Sequence, residues 1–280
     1  MNKKLLALYG LKYNPFSPEL PTEALLTIPA VEDFAWRIEN AHVREGGFAL
    51  ITGQPGTGKS VALRLLAHRL DQLSDLTVAP LAHPSANLAD FYRELGDLFC
   101  VDLRPHNRWM GFKALRARWN AHLDATRLRP ILLIDEAQEL APALMNELRL
   151  LASSNFDAQT LLSVIFSGDQ RLQNLLRRDD LLPLGSRIRV RLVLEHASRD
   201  DLLALLNHLT RAAGNPSLLT DQLASALADH AMGNYRVLTN LASELLAHAA
   251  KRELTQLDES LFFDVFHNER TPQRKRLRTA

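Results

Sequence analysis

Eight consecutive residues, Gly53-Gln54-Pro55-Gly56-Thr57-Gly58-Lys59-Ser60, carry the pattern G-x-x-x-x-G-K-[ST]. The glycines of such a turn let the backbone curl until successive N–H groups converge on phosphate oxygens. A helix that follows aims its positive N-terminus at the same anion. Lys59 would supply a mobile charge for the β- and γ-phosphates, and the Ser60 hydroxyl a ligand for Mg2+. The context is the one this chemistry requires: apolar Phe48-Ala49-Leu50-Ile51 reads as a buried strand, and Ala62, Leu65 and Leu66 with Arg64 and Arg69 form an amphipathic helix after the turn. The expected cofactors are therefore ATP and Mg2+, held by residues 53–60.

A second set of residues complements the first. Ile131-Leu132-Leu133-Ile134 is a continuous apolar run ending in Asp135-Glu136. Two acids at the end of a buried strand stand where ligands bind in parallel sheets. Asp135 is suited to hold Mg2+ through water, and Glu136 to polarise the water that attacks the γ-phosphate. The apolar run Leu161 to Phe166 delivers Ser167, Gly168 and Asp169 to the same edge. Either Ser167 or Asp169 orients the attacking water, or the Gly-Asp pair is a plain turn. Arg187 precedes the final strand, where an arginine could reach a neighbouring subunit's phosphate; Arg189 and Arg191 compete for that role. Arg236 opens a later helix and is either a nucleotide sensor or a surface arginine. Glu136, Arg187, Ser167 and Arg236 are thus the candidate catalytic residues.

The elements that must position these groups alternate along the chain. Strand candidates at 48–51, 76–81, 130–134, 161–166 and 188–194 are separated by helical periodicity around 31–38, 62–69, 88–101, 112–123 and 140–151. That alternation predicts a doubly wound α/β parallel sheet. The 188–194 segment alternates apolar and basic residues like an outer strand. After Ser198 the pattern becomes all-helical, with Ser198-Arg199-Asp200-Asp201 as a capping box and Thr220 as a further cap. The predicted organisation is a linker segment at 1–30, a nucleotide-binding domain at 31–197, a helical lid at 198–266 and a disordered basic tail at 267–280.

Composition bounds the rest. Of 280 residues, 46% are hydrophobic and 23% charged, an ordinary globular balance with formal net charge +1. The cations Arg270, Arg274, Lys275, Arg276 and Arg278 gather in the tail, so the body is slightly acidic and is not a general nucleic-acid binder. One cysteine, Cys100, excludes an internal disulfide and a Cys-based zinc cluster, and is expected to be a small buried hydrophobe. No secretory signal and no apolar stretch long enough to span a bilayer is present, which points to the cytoplasm. The histidines, among them His68, His83 and His230, show no metal-ligand spacing.

Taken together, these residues resemble the AAA+ superfamily over about Leu5 to Phe266, and within it the secretion-pathway A (ExeA-type) ATPases and their transposon-encoded relatives. The resemblance rests on Tyr9-Gly10-Leu11-Lys12-Tyr13-Asn14-Pro15-Phe16, on Asp135-Glu136-Ala137-Gln138-Glu139-Leu140 with Asn146-Glu147-Leu148-Arg149-Leu150-Leu151, on Ser167-Gly168-Asp169-Gln170-Arg171-Leu172, and on Leu184-Gly185-Ser186-Arg187-Ile188. It implies that Lys59 and Ser60 are Walker A, Asp135 and Glu136 Walker B, Arg187 the arginine finger and Arg236 sensor 2, with adenine recognised near Tyr13 to Phe16. Two departures stand out. Gly168-Asp169 replaces the usual Gly-Gln at sensor 1, and Tyr235 replaces the usual proline before Arg236.

Secretion-type members continue into a membrane-spanning helix and a periplasmic domain. Their absence before Ala280 favours the soluble, transposon-encoded members, which resemble Mu-type B proteins and target-selecting ATPases. Such relatives polymerise on duplex DNA as a ring or helical filament with ATP, recruit a transposase or integrase, and disassemble on hydrolysis. Those partners are the expectation here. The basic stretch Arg104, His106, Arg108, Lys113, Arg116 and Arg118, interleaved with Trp109, Phe112 and Trp119, would contact phosphates, or it is the solvated face of an amphipathic helix. The alternatives are an ExeA-like secretion ATPase, an ATP-driven interaction switch without DNA, and a helicase or clamp loader.

Overall fold

A computed structural model describes residues 3–84, 87–103 and 107–266 of the chain. In chain order the helices and strands are α1 (Lys3–Tyr9), α2 (Pro29–Arg37), β1 (Gly47–Gly53), α3 (Lys59–Leu70), β2 (Val78–Leu81), α4 (Leu88–Leu98), α5 (Arg108–Thr126) and β3 (Ile131–Ile134). There follow α6 (Pro142–Ala152), β4 (Ser163–Gly168), α7 (Gln170–Leu176), β5 (Ile188–Leu194), α8 (Arg199–Ala213), α9 (Asp221–Ala231), α10 (Tyr235–Lys251) and α11 (Glu259–Phe266). They divide into two compact units, Thr27–Glu195 and Met1–Leu26 with His196–Ala280.

The first unit is built on a five-stranded sheet in the order β2-β3-β4-β1-β5, and every pairing is parallel. Parallel strands need both faces covered, which is why β1, β3 and β4 are mostly apolar and almost wholly buried. Their alternate residues feed two cores. Phe48, Leu50, Leu132, Ile134, Val164 and Phe166 pack on one face with α4 to α7 residues such as Phe91, Trp119, Leu148 and Leu172. Ala49, Ile51, Ile131, Leu133 and Ile165 pack on the other with Phe34, Ala62, Leu66 and Leu70. At the margin, β5 buries Ile188, Val190, Leu192 and Leu194 and exposes Arg189, Arg191 and Val193, the outer strand its alternation predicts.

The register positions the chemistry. Ile134 pairs with Phe166, and Phe166 with Leu50, so the next row holds Asp135, Ser167 and Ile51 side by side at the carboxyl edge. A short antiparallel ribbon, Ser153–Ser154 with Gln159–Thr160, precedes β4 and was not legible in the sequence. Its turn places Asn155, Phe156 and Asp157 at positive φ without a glycine to mark it.

The second unit is helical. Leu202, Leu206, Leu223, Leu227, Leu238, Leu245, Leu261 and Phe262 share one core. The capping box forms as expected, with Asp201 N donating to Ser198 Oγ at 3.1 Å and Ser198 N to Asp201 Oδ2 at 3.0 Å. Thr220 Oγ1 caps α9 by accepting from Leu223 N at 3.2 Å. The opening segment departs from the linker expected of it. Despite its prolines it starts as helix α1, and Tyr9, Leu11, Phe16 and Leu20 are buried in the helical core. Hydrogen bonds hold it there: Lys12 N donates to Ala213 O at 2.9 Å and the Asn215 side-chain Nδ2 to Tyr9 O at 2.9 Å. Cys100 also departs from expectation, being exposed. It closes α4 in a left-handed turn at φ 55°, with Val101 N returning to Gly96 O, so its side chain leaves the core. The basic tail at 267–280, and Arg104 and His106, lie outside the described residues.

Candidate nucleotide site

The turn between β1 and α3 has the shape the sequence demands. Gly56 and Gly58 sit at φ 83° and 96°, left-handed conformations that side chains resist. Thr57 is buried and donates its hydroxyl to Gln54 O at 2.8 Å, tying the turn across itself. Lys59 is 6% exposed, and its Nζ donates to the same carbonyl at 3.2 Å. A neutral carbonyl is an exchangeable partner for an ammonium, unlike a buried carboxylate. Helix α3 carries no acid in its first turn, so its positive end is uncompensated by its own side chains. Ser60 is exposed beside it. This cradle, together with a hydroxyl and carboxylates as hard oxygen donors, fits a magnesium polyphosphate.

The acids lie one strand beyond the neighbour of β1. Asp135 and Glu136 follow β3, with β4 between them and the glycine-rich turn. Asp135 is held from both sides: Ser167 Oγ donates to its Oδ1 at 2.8 Å, and Glu136 N to the same oxygen at 2.9 Å. Ser167 is fully buried and spends its one proton on Asp135, which makes it a support for that carboxylate. Asp169 is consumed elsewhere. It caps α7 through Arg171 N at 2.8 Å and pairs with Arg171 Nε at 2.9 Å, an exposed pairing that raises the guanidinium's pKa. Neither residue therefore stands open toward a water in the way the sequence reading allowed. Gln138, which the sequence marks only as part of a motif, bridges the two strand ends: it donates to the Glu136 carboxylate and accepts from Asp169 N at 3.2 Å. Helix α7 is tied back to β1 by Gln173 Nε2 donating to Thr52 Oγ1 at 2.8 Å.

Arg187 lies at the opposite edge of the sheet. It precedes β5, which starts level with Phe48 and ends level with Gly53. At ~3.3 Å per residue the two edges are about 20 Å apart along the strand, beyond the reach of an arginine side chain. Its guanidinium is held within the chain by Asp157 of the ribbon turn and by Pro183 O. Hydrogen bonds from Ser153 and Arg187 keep the Asp157 carboxyl below its usual pKa. The competing arginines have partners of their own, Arg189 with Glu45 Oε2 at 2.8 Å and Arg191 with Gly185 O at 3.1 Å. In the helical unit, Arg236 is exposed in the first turn of α10, whose cap Asn234 accepts from Arg236 N and Val237 N. Tyr235 takes the first helical position, where a proline would fit equally well.

The basic stretch resolves mainly into structural contacts. Arg108 forms a bidentate pair with Glu147, which is 3% exposed. Burial pushes the Glu147 carboxyl up, but the hydrogen bonds from Arg108 and Tyr92 outweigh it and leave the pKa lowered. Arg116 donates to the carbonyls that end α6, at Leu150, Leu151 and Ser153. Arg118 donates to Phe99 O, Trp119 is in the core, and Lys113 lies 4.7 Å over the exposed Trp109 ring. The amphipathic-helix reading accounts for these residues. Among the described residues no cluster of metal-ligating side chains occurs, and no helix is long and apolar enough to cross a membrane.

Known structures share this fold. Cdc6p from Pyrobaculum aerophilum superposes with a TM-score of 0.68 at 17% identity, over 87% of this chain and 67% of that one. Domain III of the Thermotoga maritima replication initiation protein DnaA gives 0.63 at 18% identity, over 91% and 99%. The fold is that of the AAA+ P-loop NTPases. The Aeropyrum pernix ORC1 protein, solved in complex with DNA, matches with 0.66 at 18% identity over 89% and 67%. By sequence, residues 42–176 match the AAA domain family. The chain is also 34% identical over 172 residues to General secretion pathway protein A of Aeromonas hydrophila, covering 60% of this chain. It spans about 30% of that relative's length.

Proposed function

We propose that this protein is an ATP-driven AAA+ switch that assembles with copies of itself and hydrolyses ATP at the shared boundary. The observation that carries this is the division of the sheet: phosphate cradle and acids at one edge, Arg187 at the other. Residues 53–60 bind the triphosphate, and Lys59 exchanges its carbonyl partner for phosphate oxygens. Ser60 and Asp135 would hold Mg2+, which supplies charge neutralisation at the phosphate oxygens. Ser167 keeps Asp135 in place, Glu136 takes a proton from the attacking water, and Arg187 of a neighbouring copy stabilises charge on the transferring phosphoryl group. Arg236 and the Tyr13–Phe16 segment are the proposed nucleotide sensor and adenine contacts, on the resemblance alone.

For the process it serves, a cytoplasmic role in DNA transposition, with assembly on duplex DNA and recruitment of a transposase, is supported by the resemblance to transposon-encoded members. DNA-handling proteins among the structural relatives add to it. A secretion ATPase is the second reading, favoured by the 34% identity to the Aeromonas protein. Specific activity measured across a dilution series tests the shared site: turnover per molecule should fall as the protein is diluted below its association range. Constant specific activity would remove the neighbour from the mechanism. Stimulation of turnover by arbitrary duplex DNA, weakened by salt, separates the two processes.

A further inference from the structure

The residue that holds Glu136 is not one of the strand-end groups that its sequence position would nominate. Glu136 itself sits in a left-handed conformation, φ 49° and ψ 40°, so its side chain leaves β3 at an angle an extended residue would not give. Gln138 follows in the next turn and is 8% exposed. Its amide is used at both ends: Nε2 donates to Glu136 Oε2, and Oε1 accepts from Asp169 N at 3.2 Å. The orientation of that amide is forced, because a carboxylate can only accept and a backbone N–H can only donate. Gly168 completes the arrangement. Its φ is not in the left-handed region, yet a Cβ there would run into Gln138 Oε1 and into Leu172. Glycine is needed at that point to give the glutamine amide room.

We propose that Gln138 is the positioning residue for Glu136, clamping its carboxylate to the end of β4 through the Asp169 amide. This rests on reading Glu136 as the base. One carboxylate oxygen is engaged by a neutral donor, which leaves its other oxygen for a water proton. The same strand end supports Asp135 through Ser167. Both acids that follow β3 are therefore tied to the end of β4, Asp135 directly by the Ser167 hydroxyl and Glu136 through the Gln138 amide. The two are coupled: a shift of Gly168–Asp169 moves the metal-side acid and the base together. The amide comes from β3's own following turn, and position 169 contributes only its backbone N–H.

The test is the near-isosteric Gln138→Met, with Gln138→Glu beside it, in the full chain. Both should bind nucleotide within about twofold of the parent while kcat falls at least tenfold, a change confined to the chemical step. A merely structural glutamine would raise the KM for ATP-Mg as kcat falls, so the split between the two parameters is the discriminating readout. Should Gln138→Met fail to fold, Gly168→Ala displaces the same amide without changing it and is expected to reproduce the kcat loss at parent-like nucleotide affinity. Parent-like kcat in a folded Gln138→Met or Gly168→Ala would overturn the clamp while the ATPase reading stands. A parent protein that does not turn over ATP-Mg at any concentration would instead bring down that reading, and the clamp with it.

Discussion

The two edges of one sheet, to which the proposed function assigns opposite halves of a reaction, differ in their local states. At the carboxyl edge, acids, hydroxyl and amide are bonded to one another and the cradle is tied across its own turn. At the amino edge, Arg187 is a single cation engaged by Asp157 and a backbone carbonyl within its own chain. A parallel sheet separates its edges by the length of its strands, so a chain that places complementary groups at both edges cannot bring them together by itself.

Experiments can break this contrast in order of expected effect. Lys59→Ala should abolish nucleotide binding, read by calorimetric titration with ATP-Mg, because the point charge at the base of the cradle is lost; retained micromolar affinity would unseat the cradle as the site. Arg187→Ala should lower kcat by about 10³-fold with binding intact, in the range of other arginine fingers. Mixing it with Glu136→Gln should recover part of the activity, since mixed boundaries then pair an intact base with an intact arginine. A mixture no better than either variant would place both groups in one chain's site.

That contrast was only half legible beforehand. Gly53 to Ser60 and Ile131 to Glu136 announce themselves because phosphate binding and parallel-strand burial constrain consecutive residues. Gln138 and Asp157 do not, because their roles are set by what lies across a turn or a strand. Asp157 belongs to a ribbon whose turn lacks the usual glycine signal. The opening segment was misread for a related reason: its prolines argue against long elements, while its burial depends on α8 and its neighbours.

Two smaller effects sharpen the picture. Asp157→Asn should release Arg187 at little cost in stability, under about 1 kcal/mol for a largely exposed pair, and should change turnover at low protein concentration by a few-fold. No change in the concentration dependence would make the pair incidental. His42, 1% exposed with Nε2 against Phe48 O at 3.2 Å, has its pKa lowered by burial, aided by Arg189 and Arg37 and opposed by the Phe48 bond and Glu45. The unfolded chain then takes up this proton more readily than the folded one. Its contribution to stability is complete above about pH 6.5 and is lost as the pH falls from there through the folded-state value. The melting temperature should drop by a few degrees across that window, with a shallower slope in His42→Gln; an unchanged slope would clear His42.

Sequence alone determined the strand order of chemistry along the chain: a curled turn, an acidic strand end and a late arginine, each encoded by residues that are neighbours in sequence. Periodicity likewise determined which faces would be buried. Tertiary structure decided which groups meet. Parallel pairing in the order β2-β3-β4-β1-β5 put Asp135, Ser167 and Ile51 in one row, and it set Arg187 a strand length away. Local patterns specify conformation because backbone and side-chain preferences act within a few residues. Partnership across strands depends on register and packing that no single segment encodes.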